Sequence, residues 1–151
     1  MPWDDNLQKR FRTAQVIAIF MLVIAPLAYL GIASAIGGAL VTPEAADLVF
    51  WMLLVVAIAT PALLPIVERH QFNVYRRQGS QKAPPGQLMV TLTVISAAWV
   101  ETVYIYGFVI YLVTGDMLRM LTFWPVGIIW TYVYWPRRSR WEKRMRDLEV
   151  K

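Results

Sequence analysis

The sequence predicts an all-α integral membrane protein: a four-transmembrane-helix bundle with both termini in the cytoplasm. The chain has 151 residues, of which 58% are hydrophobic, and its mean hydropathy is +0.46. It also contains long uncharged stretches, and a bilayer core about 30 Å thick needs roughly 20 apolar residues in a helix. Apolar stretches of that length lie at about residues 13–36, 48–67, 87–113 and 117–135; Glu101 interrupts the third, and Arg119 lies near the start of the fourth. We therefore expect a single membrane domain, followed by a basic cytoplasmic tail at 136–151.

The distribution of charge predicts the orientation of these four spans. Basic residues concentrate before the first span, between the second and third, and after the fourth. The two other connections carry Glu44, Asp47 and Asp116, with Arg119 as the basic exception. Because cytoplasmic loops are enriched in lysine and arginine, we expect the N- and C-termini inside, in the inner (plasma) membrane of a prokaryote.

The first span contains Pro26, which cannot donate a hydrogen bond to the carbonyl of Leu22 and should bend the helix there. The span is too long for the core of a signal peptide, so we expect a retained anchor. Near its end, Gly31, Ala35 and Ala39 recur at helical spacing. Small residues on one stripe let helices approach closely, which predicts a packing face within the bundle.

The second span starts at Pro43, a residue suited to the first position of a helix. Near its other end, Pro61 and Pro65 leave the carbonyls of Ala57 and Pro61 without their usual donors. Thr60 or a neighbouring helix could supply a substitute. The basic residues that follow predict an amphipathic extension of this helix, and then a flexible connection rich in glycine and proline.

The third and fourth spans are joined by "TGD". Gly115 can end one helix and Asp116 can cap the next, and so short a turn predicts an antiparallel hairpin. The fourth span ends among tryptophans and tyrosines, which are typical of the membrane–water interface.

The tail places Trp141, Met145 and Leu148 on one narrow stripe among basic residues, which predicts a basic amphipathic helix. Such a helix can lie on anionic lipid headgroups or dock onto a partner subunit, and the sequence favours neither. The candidate residues for this membrane-surface or partner-binding role are Arg137, Arg138, Arg140, Trp141, Lys143 and Arg144.

Composition argues against several classes of function. The chain has no cysteine and one histidine, so thiol chemistry and a multi-histidine metal site within one chain are excluded. We find no nucleophile–base pair and no set of metal ligands in any span. We expect no enzymatic activity, no metal, no cofactor and no nucleic-acid partner.

Glu101 is the one charged residue in the middle of a predicted span. It lies 14 residues after Gln87, roughly 20 Å along the helix, where a carboxylate costs a few kcal/mol or more unless it is neutralised or paired. We therefore expect it to be protonated at rest. Intramembrane acids are commonly functional, but a purely structural hydrogen bond, for example to Tyr104 or Thr60, is the alternative.

The run "ETVYIYGFVIYLVTG", residues 101–115, resembles the ion-carrying helix of the c-type ring subunits (proteolipids) of rotary ATPases. In the archaeal and vacuolar branches that helix typically reads Glu-Thr-x-x-Ile-(Phe/Tyr)-Gly, and this segment is in register with it. The resemblance implies that Glu101 carries a proton or ion, and that Thr102 and Tyr106 help to bind it.

Two hypotheses follow for the whole chain. In the first, it is a non-enzymatic membrane subunit that handles protons or ions through Glu101, in a larger assembly. In the second, it is a structural or assembly subunit in which Glu101 is only a buried hydrogen bond. Both imply lipid contact and partners that are other membrane subunits or copies of the chain.

Overall fold

The computed structural model describes residues 5–36, 43–78 and 84–149, and every regular element in these ranges is helical. Three continuous helical segments, Asp5–Ala35, Ala45–Tyr75 and Gly86–Thr114, are long and apolar enough to cross a membrane. The predicted all-α membrane fold agrees with this. The helices are α1 (Asp5–Ile19), α2 (Ala25–Ala35), α3 (Pro43–Ala62), α4 (Leu64–Gln78), α5 (Pro85–Thr114), α6 (Met117–Leu121), α7 (Phe123–Tyr134) and α8 (Arg138–Glu149).

The central element is α5, a helix of 30 residues. In its most apolar window 44% of the residues are buried, against 22% in the first long helix and 17% in the second. Residues of α5 also contribute to each hydrophobic cluster found in the described chain. The outer helices keep large apolar side chains exposed, as expected where a helix faces lipid.

The first long helix departs from α-helical geometry in the turn before Pro26, where the sequence predicts a bend. Between α1 and α2 lies a π-helical turn, Phe20–Ile24, and the backbone N–H of Ala25 bonds to the carbonyl of Phe20. A proline nitrogen cannot donate, and π-turns accommodate such breaks inside α-helices.

The predicted proline break in the second span is present at Leu63, between α3 and α4. The freed carbonyl of Pro61 accepts a hydrogen bond from the hydroxyl of Tyr134 on α7, at 3.2 Å. A neighbouring helix therefore supplies the substitute donor. Beyond the break, α4 extends through the basic segment to Gln78, as predicted. Of the predicted flexible connection at 79–87, residues 79–83 lie outside the described residues, and residues 85–87 belong to α5 instead.

The turn after α5 has the predicted chemistry. Gly115 has φ 70°, in the left-handed region that favours glycine, and ends α5. The side chain of Asp116 accepts from the backbone N–H groups of Leu118 and Arg119 and so caps α6.

The fourth predicted span is divided at Thr122 into α6 and α7. Pro125 leaves the carbonyl of Leu121 without its usual donor, and α6 ends at Leu121. Because α7 has 12 residues, about 18 Å of helix, this segment does not form one uninterrupted spanning helix.

The predicted packing of the small-residue stripe within the bundle was wrong for the part of the stripe that the structure describes. A Cβ atom added to Gly31 would meet nothing within 4 Å, and Ala35 is also exposed. Ala39 lies outside the described residues. Close helix approach occurs instead at Gly107 and Gly127, where an added Cβ would lie within 3.0 Å of α6 or of Tyr104.

Candidate functional site

Glu101 lies on α5 and is half-buried. Its Oε1 atom accepts a hydrogen bond from the hydroxyl of Tyr29 at 2.8 Å. The bond joins α5 to α2, between residues 72 positions apart in the chain. Glu101 is therefore held by a side chain from the first long helix.

Tyr29 is held in place by a second contact with α5. Its ring stacks on the ring of Phe108, with centroids 5.5 Å apart and planes inclined by 21°. Phe108 follows Glu101 by two helical turns, so both residues occupy the same face of α5. The phenol ring thus packs on one residue of this face while its hydroxyl bonds to the other.

The π-turn in the first long helix affects which residue of α2 faces Glu101. A turn with one extra residue rotates everything beyond it by about 100° relative to an uninterrupted α-helix. Tyr29 follows the π-turn Phe20–Ile24 by five residues. The irregularity at Pro26 therefore contributes to the orientation of the hydroxyl donor.

The surroundings of Glu101 are neutral. No lysine or arginine of the described chain forms an ion pair with it. A tyrosine hydroxyl that donates to Oε1 supplies no charge and leaves Oε2 to carry or release a proton. This arrangement can hold the carboxyl group protonated or ionised. The ionised group is the costly form in lipid, because no positive charge compensates it.

The structure does not bring the other two predicted ion-binding residues to Glu101 within one chain. The hydroxyl of Thr102 donates to the carbonyl of Ala98 on its own helix, at 2.8 Å. Tyr106 packs on the cluster that contains Ala57 and Phe123, on the side of α5 that faces α3 and α7. Both roles remain predictions.

The two polar neighbours suggested for a structural hydrogen bond have other environments. The hydroxyl of Tyr104 pairs with the hydroxyl of Thr131 on α7 at 3.2 Å. Thr60 lies at the end of α3, where its carbonyl accepts from the N–H of Leu63. Within the described chain, Tyr29 rather than Tyr104 or Thr60 forms the hydrogen bond with Glu101.

Sequence reasoning missed Tyr29, although a signal for it exists. Tyr29 lies 16 residues after Thr13, the start of the first predicted span, and Glu101 lies 14 residues after Gln87, the start of the third. Both spans run in the same direction, so the two side chains lie at depths that differ by only about 3 Å. A search for polar residues at equal depth in parallel spans would have found the pair.

Arg119, the exception to the charge pattern, has two carboxylate partners at the opposite end of α5 from the basic tail. It forms ion pairs with Asp47 at 2.6 Å and with Asp116 at 3.2 Å. Its guanidinium also lies 5.7 Å from the ring centroid of Phe50. These two carboxylates compensate the charge of Arg119.

The tail helix α8 docks on the chain's own bundle. Trp141 is 2% exposed and packs in a cluster with Ala14 and Leu92, and its ring meets that of Phe11 edge-on at 5.2 Å. Arg144 forms an ion pair with Glu68 of α4 at 2.5 Å. Trp141, the first residue of the predicted apolar stripe, is therefore covered intramolecularly; the side chains of Met145 and Leu148 lie outside the described part of the chain.

Around this docked stripe, the other candidate residues of the tail differ in exposure. Arg137, Arg138 and Lys143 are exposed, and Arg140 is half-buried. Arg138 pairs with Glu142 on its own helix at 2.8 Å.

Comparisons with protein-family models, with characterised proteins and with solved structures found no match to this chain. The resemblance of residues 101–115 to the proteolipid helix therefore stays a prediction. Within the described ranges, no group of three or more histidine, aspartate or glutamate side chains is placed to hold a metal ion.

Proposed function

We propose that this chain is a non-enzymatic membrane subunit that handles a proton through Glu101, in an assembly with other membrane subunits or with copies of itself. The observation that carries the proposal is the bond between Glu101 and Tyr29, in which a half-buried carboxyl inside an apolar helix has a neutral partner. Intramembrane acids commonly belong to proton or ion paths.

We further propose four membrane crossings, with both termini in the cytoplasm. Contacts between distant residues support this count. At one end of the bundle the hydroxyl of Tyr111 donates to the carbonyl of Ile36, and Arg119 pairs with Asp47. At the other end Phe11 meets Trp141. Arg119 and Trp141 lie at opposite ends of the bundle, so the segment between them, α6 and α7, makes the fourth crossing.

A structural role is the second candidate, and the same hydrogen bond favours it. The bond from Tyr29 ties the first long helix to α5, and a bond of this kind contributes about 0.5–1.5 kcal/mol to stability. In this case ionisation of Glu101 has no function, and the chain serves in assembly through its exposed apolar faces.

Two matched substitutions separate the candidates. Glu101→Gln removes the ionisable group but keeps an oxygen that accepts from Tyr29. Tyr29→Phe removes the hydroxyl but keeps the ring on Phe108 and leaves the carboxyl intact. If Glu101 handles protons, Glu101→Gln abolishes proton flux in proteoliposomes of the native assembly, and the assembly still forms. If its role is structural, Glu101→Gln is silent and Tyr29→Phe lowers the thermal stability.

A hydrophobic carbodiimide provides an independent measurement, because it reacts with protonated carboxyl groups. We expect labelling at Glu101 that declines as the pH is raised and that is absent in Glu101→Gln, measured by peptide mass spectrometry. The ion-paired Glu68 is the internal control. Normal proton flux in Glu101→Gln, or a Glu101 that stays unreactive from acidic to alkaline pH, would contradict the proposal.

A further inference from the structure

An open groove of about 670 Å³ lies where α8 meets α4. Its lining consists of Phe72, Arg137, Ser139, Arg140, Lys143 and Arg144. Four of these six side chains are basic, one is a hydroxyl and one is aromatic. No carboxylate belongs to the described lining, so the groove is suited to an anion.

One of the four basic side chains is already compensated. Arg144 pairs with Glu68 at 2.5 Å, and its guanidinium lies 6.0 Å from the ring centroid of Phe72. In the part of the chain that the structure describes, no carboxylate lies within ion-pair distance of Arg137, Arg140 or Lys143. Among the described side chains, three basic groups of the groove, Arg137, Arg140 and Lys143, therefore have no carboxylate partner.

These charges are crowded. Burial, followed by repulsion from Arg144, lowers the pKa of Arg140 below its ordinary value. Arg137 lowers the pKa further, whereas Glu68 and Tyr134 raise it. An anion in the groove would relieve this repulsion, since a negative charge favours the charged form of each neighbouring guanidinium. The groove also lies beside the first turns of α8, where the helix dipole favours negative charge.

An exposed apolar strip on α7 lies beside Arg137, at the edge of the groove. Arg137 lines the groove, and its guanidinium also lies 4.6 Å from the ring centroid of Tyr132. Tyr132 is 69% exposed, and Ile128, one turn away on the same face, is 56% exposed. A ligand with a phosphate and a hydrocarbon chain can contact both parts.

We infer that this groove binds the phosphate of an anionic phospholipid, whose acyl chain lies along the Ile128–Tyr132 strip of α7. Arginine and lysine hold the phosphate oxygens by charge-assisted hydrogen bonds, and Ser139 adds a hydroxyl donor. Basic pockets beside transmembrane helices are suited to such headgroups. The site is distinct from Glu101, and it differs from a helix lying flat on the membrane, because Trp141 is buried in the bundle.

The test compares the removal of a charge inside the groove with the removal of a charge outside it, on the same helix. Arg140→Gln and Lys143→Gln each remove a cation from the groove. Arg138→Gln removes an equal charge from an exposed residue that pairs with Glu142 and does not line the groove. The full-length protein is placed in nanodiscs of phosphatidylcholine with increasing phosphatidylglycerol, and lipid retained after detergent extraction is counted by native mass spectrometry.

We expect the wild-type protein to retain phosphatidylglycerol over phosphatidylcholine. Each groove variant should lower the apparent affinity about fivefold, since a basic residue near an anionic headgroup contributes roughly 1 kcal/mol, and Arg138→Gln should change little. Circular dichroism confirms folding, and Lys143→Gln, at an exposed position, keeps the test valid if Arg140→Gln does not fold.

Inorganic phosphate and soluble glycerol phosphate distinguish the source of the phosphate. If the groove binds a lipid, neither compound competes at millimolar concentration, because neither contacts the apolar strip. Full competition by free phosphate would overturn the lipid assignment. An equal loss of phosphatidylglycerol in Arg138→Gln would overturn the groove itself, since it would indicate attraction by the net charge of the tail.

Discussion

At the scale of single residues, Gly127 determines how closely α7 approaches α5. The ring of Tyr104 occupies the space beside Gly127, so an added Cβ would lie within 3.0 Å of three atoms of that ring. Tyr104 is 4% exposed and is hydrogen-bonded to Thr131. The ring therefore cannot move aside without losing both packing and a hydrogen bond.

We predict that Gly127→Ala destabilises the protein by about 1–3 kcal/mol, the usual cost of overpacking. Gly31→Ala is the matched control, because a Cβ there meets nothing within 4 Å, and alanine stabilises a helix by about 0.5–1 kcal/mol relative to glycine. Unfolding in mixed micelles measures both free energies. Similar effects of the two substitutions would refute this account of α5–α7 packing.

At the scale of helices, the π-turn has a local cause, whereas the position of α8 depends on other helices. The π-turn follows from Pro26, a local feature, but it matters because it orients Tyr29 toward α5. By contrast, α8 is strongly basic and has a narrow apolar stripe, so its position depends on the surface to which Trp141 docks. That surface is made by α1, α4 and α5 together.

We predict that Trp141→Ala releases α8 from the bundle. Truncation of a buried tryptophan costs about 3–5 kcal/mol. Besides Trp141, the ion pair of Arg144 with Glu68 holds α8 to the bundle, so the loss should appear as local opening of α8. Hydrogen exchange should accelerate across Arg138–Glu149, while α5 keeps its protection.

The control for this prediction is Trp51→Ala, the same change at a side chain that is 61% exposed. It should leave exchange in α8 unaltered. Unchanged protection of α8 in Trp141→Ala would show that the ion pair of Arg144 with Glu68 is sufficient for docking.

At the scale of the whole molecule, contacts divide the chain between two ends. Asp47 and Arg119 meet at one end of α5, and Glu68 and Arg144 meet at the other. Chain segments at the same end should be accessible from the same side of the membrane. The proposed topology can therefore be tested without knowledge of the function.

We predict that a thiol at Asn73 or Ser139 reacts from the cytoplasm, and that a thiol at Leu118 reacts from outside. The chain has no cysteine, so each single substitution to cysteine is the only target of a membrane-impermeant maleimide. All three positions are exposed. In intact cells only Leu118→Cys should react, and the other two should react after permeabilisation.

Two other labelling patterns would contradict the proposed topology. Labelling of Asn73→Cys and Ser139→Cys from outside, with Leu118→Cys protected, would mean that the orientation is inverted. Labelling of Asn73→Cys and Ser139→Cys from opposite sides would mean that α6 and α7 do not cross the membrane.

The candidate site was predicted only in part. Glu101 is conspicuous in the sequence because a charge inside an apolar helix is costly wherever the helix packs. Its partner Tyr29 was not predicted, because hydroxyl donors occur in every span and local pattern does not say which one faces α5. Thr102 and Tyr106 match the proteolipid motif in sequence, but pattern did not predict their contacts either. Thr102 donates to the carbonyl of Ala98, and Tyr106 packs on the cluster of Ala57 and Phe123.

The sequence by itself determined the helical class, the long apolar segments, the turn at Gly115 and Asp116, and the break at Pro61 and Pro65. These depend on hydropathy, glycine conformation and the missing proline N–H, which act within a few residues. Only the tertiary structure decided the Tyr29–Glu101 bond, the burial of Trp141 and the basic groove. Each of these requires side chains from distant helices to meet, and helix packing alone brings them together.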